Sequence, residues 1–206
     1  MVFSPENIIF LLRGLEITLI IAFSTIALSF IFGSILGIAR FSGKGIFAKL
    51  ASVYIDTVRN IPLLLFIIGF RFTLPLPPVA SAIASMTVFT SAMVAEIVRG
   101  GLLSVSRGQW EAAYSQGFSF IGAMVHIVLP QAVKKILKPL MSQFVTAIKD
   151  TSFCAIIAVH ELMYSGMIVM GKFTYSRQII VLYALIALIY FIINTTLLKL
   201  SDRIKF

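Results

Sequence analysis

Residues 8–39 form an apolar run interrupted by only two charged side chains, Arg13 and Glu16. About 20 consecutive apolar residues suffice to cross the hydrocarbon core of a bilayer, so this one stretch excludes most folds that live in water. It is far longer than the roughly 7–15-residue apolar region of a cleaved signal and has no basic leader, so a retained span is expected. Composition agrees. Of 206 residues, 59% are hydrophobic and 12% charged, where soluble domains sit near 45–50% and about 25%.

Windows of about 20 residues give five candidate spans, at about 15–39, 53–73, 79–101, 139–165 and 178–198. Turn-forming clusters separate several of them: Phe41-Ser-Gly-Lys-Gly45, Pro75-Leu-Pro-Pro78, and the stretch 166–175. The chain therefore reads as an all-α, multi-pass membrane protein with five transmembrane helices in one domain, 1–206. An odd number of spans puts the termini on opposite sides. With the N-terminus outside, eleven cations fall on the inner segments (Arg40, Lys44, Lys49, Arg99, Arg107, Lys134, Lys135, Lys138, Lys199, Arg203, Lys205) and four outside (Arg13, Arg71, Lys172, Arg177). Cytoplasmic loops carry the excess of Lys and Arg, so the expected topology is N-out, C-in. The net charge of +9 then records topology and contact with anionic lipid rather than a nucleic-acid partner.

The segment 102–138 is the long cytoplasmic connection, and long connections in compact proteins tend to carry function. Residues 109–116 are good helix formers, Gly117 supplies a break, and Pro130 is expected to stop a second short helix. Composition alone makes this an amphipathic hairpin at the membrane surface.

The residues there match a known pattern. Glu111-Ala112-Ala113, Gly117, Ile127 and Leu129-Pro130 have the spacing of the EAA loop, the mark of permease subunits of bacterial ABC importers. Ala95-Glu-Ile-Val-Arg-Gly-Gly101, Gly108-Gln109, Pro130-Gln131-Ala132 and Lys149-Asp-Thr-Ser152 resemble the polar amino-acid, histidine/glutamine permease-like branch of that class. Arg59-Asn-Ile-Pro-Leu63 is similar to that branch's Arg-Gly-Thr-Pro-Leu stretch, with Asn60 and Ile61 in place of the usual Gly and Thr.

The resemblance covers nearly the whole chain. It implies a MetI-like fold in the bacterial cytoplasmic (inner) membrane and a non-enzymatic role as the transmembrane subunit of an ATP-driven amino-acid importer, glutamine favoured. It further implies two separate ABC ATPase subunits that bind ATP and Mg, so that no cofactor is held by this chain. A second permease copy or a related permease and an extracytoplasmic amino-acid-binding protein complete the set. The short helix after Glu111-Ala112-Ala113 would be the coupling helix that docks on the ATPase, with Glu111, Ala112, Ala113, Gly117 and Pro130 as the coupling residues. Small side chains at Ala112, Ala113 and Gly117 would permit close packing. Glu111 would contact the ATPase or cap its own helix.

The chain carries no motor of its own. A phosphate-cradling loop needs Gly, four residues, then Gly-Lys and Ser or Thr, and Gly43-Lys44-Gly45 lacks the upstream Gly and the hydroxyl. His126 and His160 lie on different elements, which supports neither a triad nor a metal site. Cys154 in apolar surroundings reads as a small buried hydrophobe, and Met163, Met167 and Met170 as packing. Gly33 and Gly37 make a G-x-x-x-G that allows close helix approach.

Ionisable residues inside spans are functional hypotheses by default. Asp56 with Arg59, and Glu96 with Arg99, have the i,i+3 spacing of facing helix neighbours, for structural pairing or gating. In the fourth span Asp150, Thr151, Ser152 and Glu161 offer an ammonium acceptor and carboxylate donors to a zwitterionic amino acid. In a regular helix Asp150 and Glu161 share a face but stand some 16 Å apart along the axis. One of them is then structural, or the two are successive stations on a pathway. Asp150 can also pair with Lys149. Importers of methionine or an inorganic anion, an ion-driven secondary transporter and a structural membrane protein are the rival readings. No repeated halves favour the secondary transporter.

Overall fold

The computed structural model describes residues 4–203. Of the inner cations, Lys205 and the Arg203 side chain lie outside what is described. The first helix, α1 (Pro5–Ser42), starts where Ser4 accepts the Asn7 N–H at 3.4 Å and Pro5 fills the first turn. It ends at Gly43, in the left-handed region at φ 64°. Its 38 residues make it about 57 Å long at 1.5 Å per residue, well beyond the expected 15–39, and it is the spine of the molecule.

One face of α1 is a stripe of small and hydroxyl residues at 3–4 spacing: Gly14, Thr18, Ala22, Thr25, Ser29, Gly33 and Gly37 are all buried. Gly14 and Thr18 face the start of α8 (Leu162–Met170), while Gly33 and Gly37 lie on α4 (Pro78–Leu103), which buries Ser81, Ala82, Ser85, Ser91, Ala92 and Ala95. Burial of apolar surface gives little drive inside lipid, so close van der Waals contact between small residues holds such helices together. A Cβ at Gly33 would stand 2.7 Å from the Ser91 carbonyl oxygen, and one at Gly37 2.5 Å from that of Ala95. The opposite face, with Phe23, Ile31, Phe32 and Ile35, is exposed, as a lipid-facing surface should be.

The second span is not one helix. α2 (Gly45–Arg59) and α3 (Leu63–Thr73) meet at 103°, because Pro62 disfavours helical backbone at the residue before it and has no N–H to donate. The elbow is clamped by charge. Arg40 from α1 pairs with Asp56 at 2.8 Å and reaches Glu96 on α4 at 3.4 Å. Arg59 approaches Glu96 at 3.6 Å, and Arg99 pairs with Glu96. The expected Glu96–Arg99 pair is therefore present. Asp56 turns instead to Arg40 on another helix, since the bend after Arg59 carries that side chain toward α4.

Past α4, α5 (Arg107–Ser115) ends near Gly117, and α6 (Phe120–Ala123) runs through a π turn (Met124–Val128) into α7 (Leu129–Asp150). Pro130 does not stop this helix. It sits in the first turn of α7, where its missing N–H falls against the wide π turn that absorbs the lost i→i−4 bond. The fourth span is also broken. α7 ends at Asp150, a 3-10 segment covers Thr151–Ile157, Ala158 takes a left-handed φ of 57°, and α8 (Leu162–Met170) resumes. The window 139–165 is thus two helices, and the 16 Å spacing of a regular helix does not hold for Asp150 and Glu161. α9 (Ser176–Arg203) closes the fold.

Three apolar clusters tie these elements. Ile21, Ile67, Ala82, Met86, Cys154 and Ile157 bury the fourth-span break; Cys154 is packed there with its sulfur 3.6 Å from that of Met86. Leu102, Val105, Val128, Ala132 and Ile136 join α4 to α7. Leu11, Leu162, Val169, Leu182 and Ile186 join α1, α8 and α9.

The α1–α4 contact predicts a contrast between two glycines. Gly37→Ala places a methyl against rigid backbone and should destabilise the protein in detergent by about 1–3 kcal/mol. Gly100→Ala has nothing within 4 Å and should leave thermal unfolding unchanged or slightly raised. Equal midpoints for the two variants would contradict the packing.

Candidate functional site

The polar residues of the fourth span divide at its break. Glu161 is fully buried. Its carboxylate caps α8, accepting the Met163 N–H at 2.9 Å and the Tyr164 N–H at 2.7 Å. It also accepts the Thr18 hydroxyl at 3.4 Å and that of Tyr190 at 3.2 Å. Thr18 in turn accepts the Leu162 N–H at 3.0 Å. A helix start leaves N–H groups without intrahelical partners, and in hydrocarbon each unmet group costs several kcal/mol. α8 can begin inside the span because Glu161 and Thr18 meet three of them.

Thr151 is buried too, its hydroxyl donating to the Ile148 carbonyl at 2.7 Å. Ser152 donates to the Lys149 carbonyl at 2.8 Å. Asp150 ends α7 half-buried and, among the described residues, makes no ion pair with Lys149.

Beside the break lies an open cavity of about 270 Å³, lined by Lys149, Ser152, Met163, Tyr183, Ile186, Ala187 and Tyr190. Of the four expected site residues only Ser152 is on its wall. Glu161 adjoins it through Tyr190, and Asp150 is its neighbour along the chain. Lys149, Tyr183 and Tyr190 bring a cation and two hydroxyls. The two tyrosines were not singled out from the sequence, although hydroxyls in the otherwise apolar α9 are a readable signal of a polar interior face.

At the other end of the molecule α5 carries the Glu111-Ala112-Ala113 stretch. Ala113 is buried, whereas Glu111 and Ala112 are exposed. Among the described residues the Glu111 side chain makes no capping bond, while Ser115 donates to the Glu111 carbonyl at 2.9 Å. Gly117 has φ 81° and nothing within 4 Å of where a Cβ would stand, so this chain needs glycine there for backbone conformation, not for room. Gln109 and Gln131, from two separate stretches of the pattern, meet: Gln131 Nε2 donates to Gln109 Oε1 at 3.0 Å. Lys135 donates to the Ser104 carbonyl at 2.6 Å, tying α7 to the end of α4.

The described residues thus form a multi-pass helical protein with a mostly apolar cavity, bearing one cation and two tyrosine hydroxyls, at a broken span, and with a short exposed helix strapped to the opposite span ends. The family follows from comparison. Residues 29–204 match the binding-protein-dependent transport system inner membrane component family, and the chain belongs to it. It is similar to the probable glutamine ABC transporter permease protein GlnP of Bacillus subtilis (strain 168), 39% identical over 98% of this chain and 95% of that one. It is 30% identical to the glutamine transport system permease protein GlnP of Escherichia coli (strain K12), over 95% of this chain and 91% of that one. Among solved structures, an amino acid ABC transporter crystallised with histidines superposes with a TM-score of 0.85 at 28% identity, covering 96% of this chain and 93% of that chain. The inward-facing MetNI methionine ABC transporter shares the fold, with a TM-score of 0.80 at 17% identity over 99% of this chain and 100% of that chain. The protein is therefore an all-α, MetI-like ABC importer permease of the inner membrane.

The φ of Gly117 predicts how its substitutions rank. Gly117→Val puts a β-branched residue in a left-handed conformation and should lower uptake with expression retained, while Gly117→Asn, which tolerates that region, should transport closer to the original rate. Equal uptake by the two variants would mean that the backbone break is not needed.

Proposed function

We propose that this chain is the membrane half of an ATP-driven importer of polar amino acids, with glutamine the first choice. The observation that carries this reading is the 39% identity to a probable glutamine permease along 98% of the chain. The methionine transporter shares only the fold, at 17% identity, and lends no support to a methionine substrate.

The substrate would pass the break in the fourth span. The 270 Å³ cavity is just under the roughly 300–1,000 Å³ of pockets for drug-sized ligands, a size suited to one small amino acid. Lys149 would face the carboxylate and Ser152 with the tyrosine hydroxyls the side-chain amide, while Asp150, off the cavity wall beside Lys149, would take the ammonium group as the substrate passes the break. Thr151 and Glu161 would shape this site from behind, Glu161 through its bond to Tyr190. Two ABC ATPase subunits would bind ATP and Mg and dock on the face of α5 bearing Glu111 and Ala112, with Ala113, Gly117 and Pro130 setting the shape of that element. A second permease copy or a related permease and an extracytoplasmic binding protein would complete the complex. Closure of the ATPases would draw the α5 helices together and open the outer side to the loaded binding protein.

The test is uptake of labelled glutamine into proteoliposomes holding the complete complex. Uptake should need both internal ATP and the binding protein. Asp150→Asn removes a charge-assisted bond of about 1.5–3 kcal/mol, lowering affinity roughly 10- to 150-fold, and should slow uptake while the ATPase still co-purifies. Uptake driven by an ion gradient without ATP would refute the importer reading. Unchanged uptake in Asp150→Asn would move the site elsewhere.

A further inference from the structure

The chain has a single tryptophan, Trp110, near the start of α5. Its ring stacks at 5.5 Å and 16° on Phe120 of α6 and at 6.0 Å and 23° on Phe41 in the last turn of α1. Tyr114, one turn on in α5, closes the group at 6.2 Å. The same ring and Phe41 are packed against the buried cluster that joins α4 to α7. On α5 the positions 110, 113 and 114 lie on one face by helical spacing, where Ala113 is buried and Trp110 half-buried though Tyr114 is exposed, and Glu111, Ala112 and Ser115 are exposed as well. One side of α5 is therefore built into the span ends while another stays open.

Besides its packing on the α4–α7 cluster, α5 has two further ties to the spans among the described residues. Gln109 bonds to Gln131 on α7, and the Trp110 ring bears on Phe41 of α1. The second tie reaches further. α1 is unbroken for 38 residues, is locked to α4 at Gly33 and Gly37, and holds the outer break at Thr18 through Glu161 and Leu162. A push on α5 that reaches Phe41 thus has a continuous rigid path of packed backbone to the outer half of the fourth span. A hydrogen bond between two flexible amides transmits thrust poorly. A flat ring with two rotatable bonds, wedged between two other rings, transmits it well.

We propose that Trp110 is a positioning residue for transport, passing the movement of α5 to α1 through Phe41. This rests on the reading of α5 as the ATPase-docking helix.

The experiment measures amino acid moved per ATP hydrolysed in proteoliposomes containing the whole complex, for the original protein, Trp110→Ala, Trp110→Phe, Phe41→Ala and the double alanine variant. Losing a stacked aromatic pair should lower that ratio by roughly 2- to 12-fold in either single alanine variant. The double variant should fall no further than the lower single one, and Trp110→Phe should restore most of the ratio. Phe41→Ala decides the matter because Phe41 lies on α1, off the open face of α5. An unchanged ratio in it, or loss of the ATPase from its complex, overturns the proposal whatever Trp110→Ala does. A complex of the original protein that shows no ATP-driven uptake would instead fail the importer reading and leave a different pattern of data.

Discussion

Hydrocarbon offers no hydrogen-bond partner, so every break in a span must satisfy its own backbone. At the fourth span one carboxylate does most of this. Glu161 takes two N–H groups of α8 and two hydroxyls from α1 and α9. That group lets a helix restart at Leu162 inside the span, beside irregular backbone, a half-buried aspartate and the cavity. The same constraint explains one residue of the stripe on α1, Thr18, which serves the break, while Gly33 and Gly37 bring α1 onto α4 by close packing.

The inner half of the molecule works by other means. There Glu96 gathers Arg40, Arg59 and Arg99 from three helices, fixing the elbow between α2 and α3 against the ends of α1 and α4. The cluster ties together the ends of α1, α2 and α4, and losing Glu96 would leave three arginines short of a partner. The aromatic stack at Trp110 and the Gln109–Gln131 bond fasten α5 to this unit.

The five apolar stretches were legible because hydrophobicity over about 20 residues is a strong signal, and the EAA spacing was legible because it is a fixed local pattern. The breaks were hidden. Residues 151–158 contain neither Gly nor Pro, and Ala158 adopts a left-handed conformation that its type does not announce. Pro62 was visible, yet an apolar window passes over a proline without registering the 103° turn. Pro130 misled in the opposite sense, since a proline ends a helix only where no π turn or first-turn position accommodates it. Charge pairing was half legible: i,i+3 spacing located Glu96–Arg99, but Asp56 found its partner across helices. The role of Glu161 illustrates the same limit. Sequence showed an isolated carboxylate in a span, while two of its four donors within the fold, Thr18 and Tyr190, lie far away along the chain.

The most direct test of this account is therefore the unfolding midpoint of Glu161→Ala in detergent, set beside its transport. Loss of an N-cap alone costs about 0.5–2 kcal/mol, and the stranded hydroxyls of Thr18 and Tyr190 add to it, so the variant should unfold at a clearly lower temperature than the original protein. A variant as stable as the original that has lost only transport would contradict the account, because Glu161 would then act on substrate rather than hold the break.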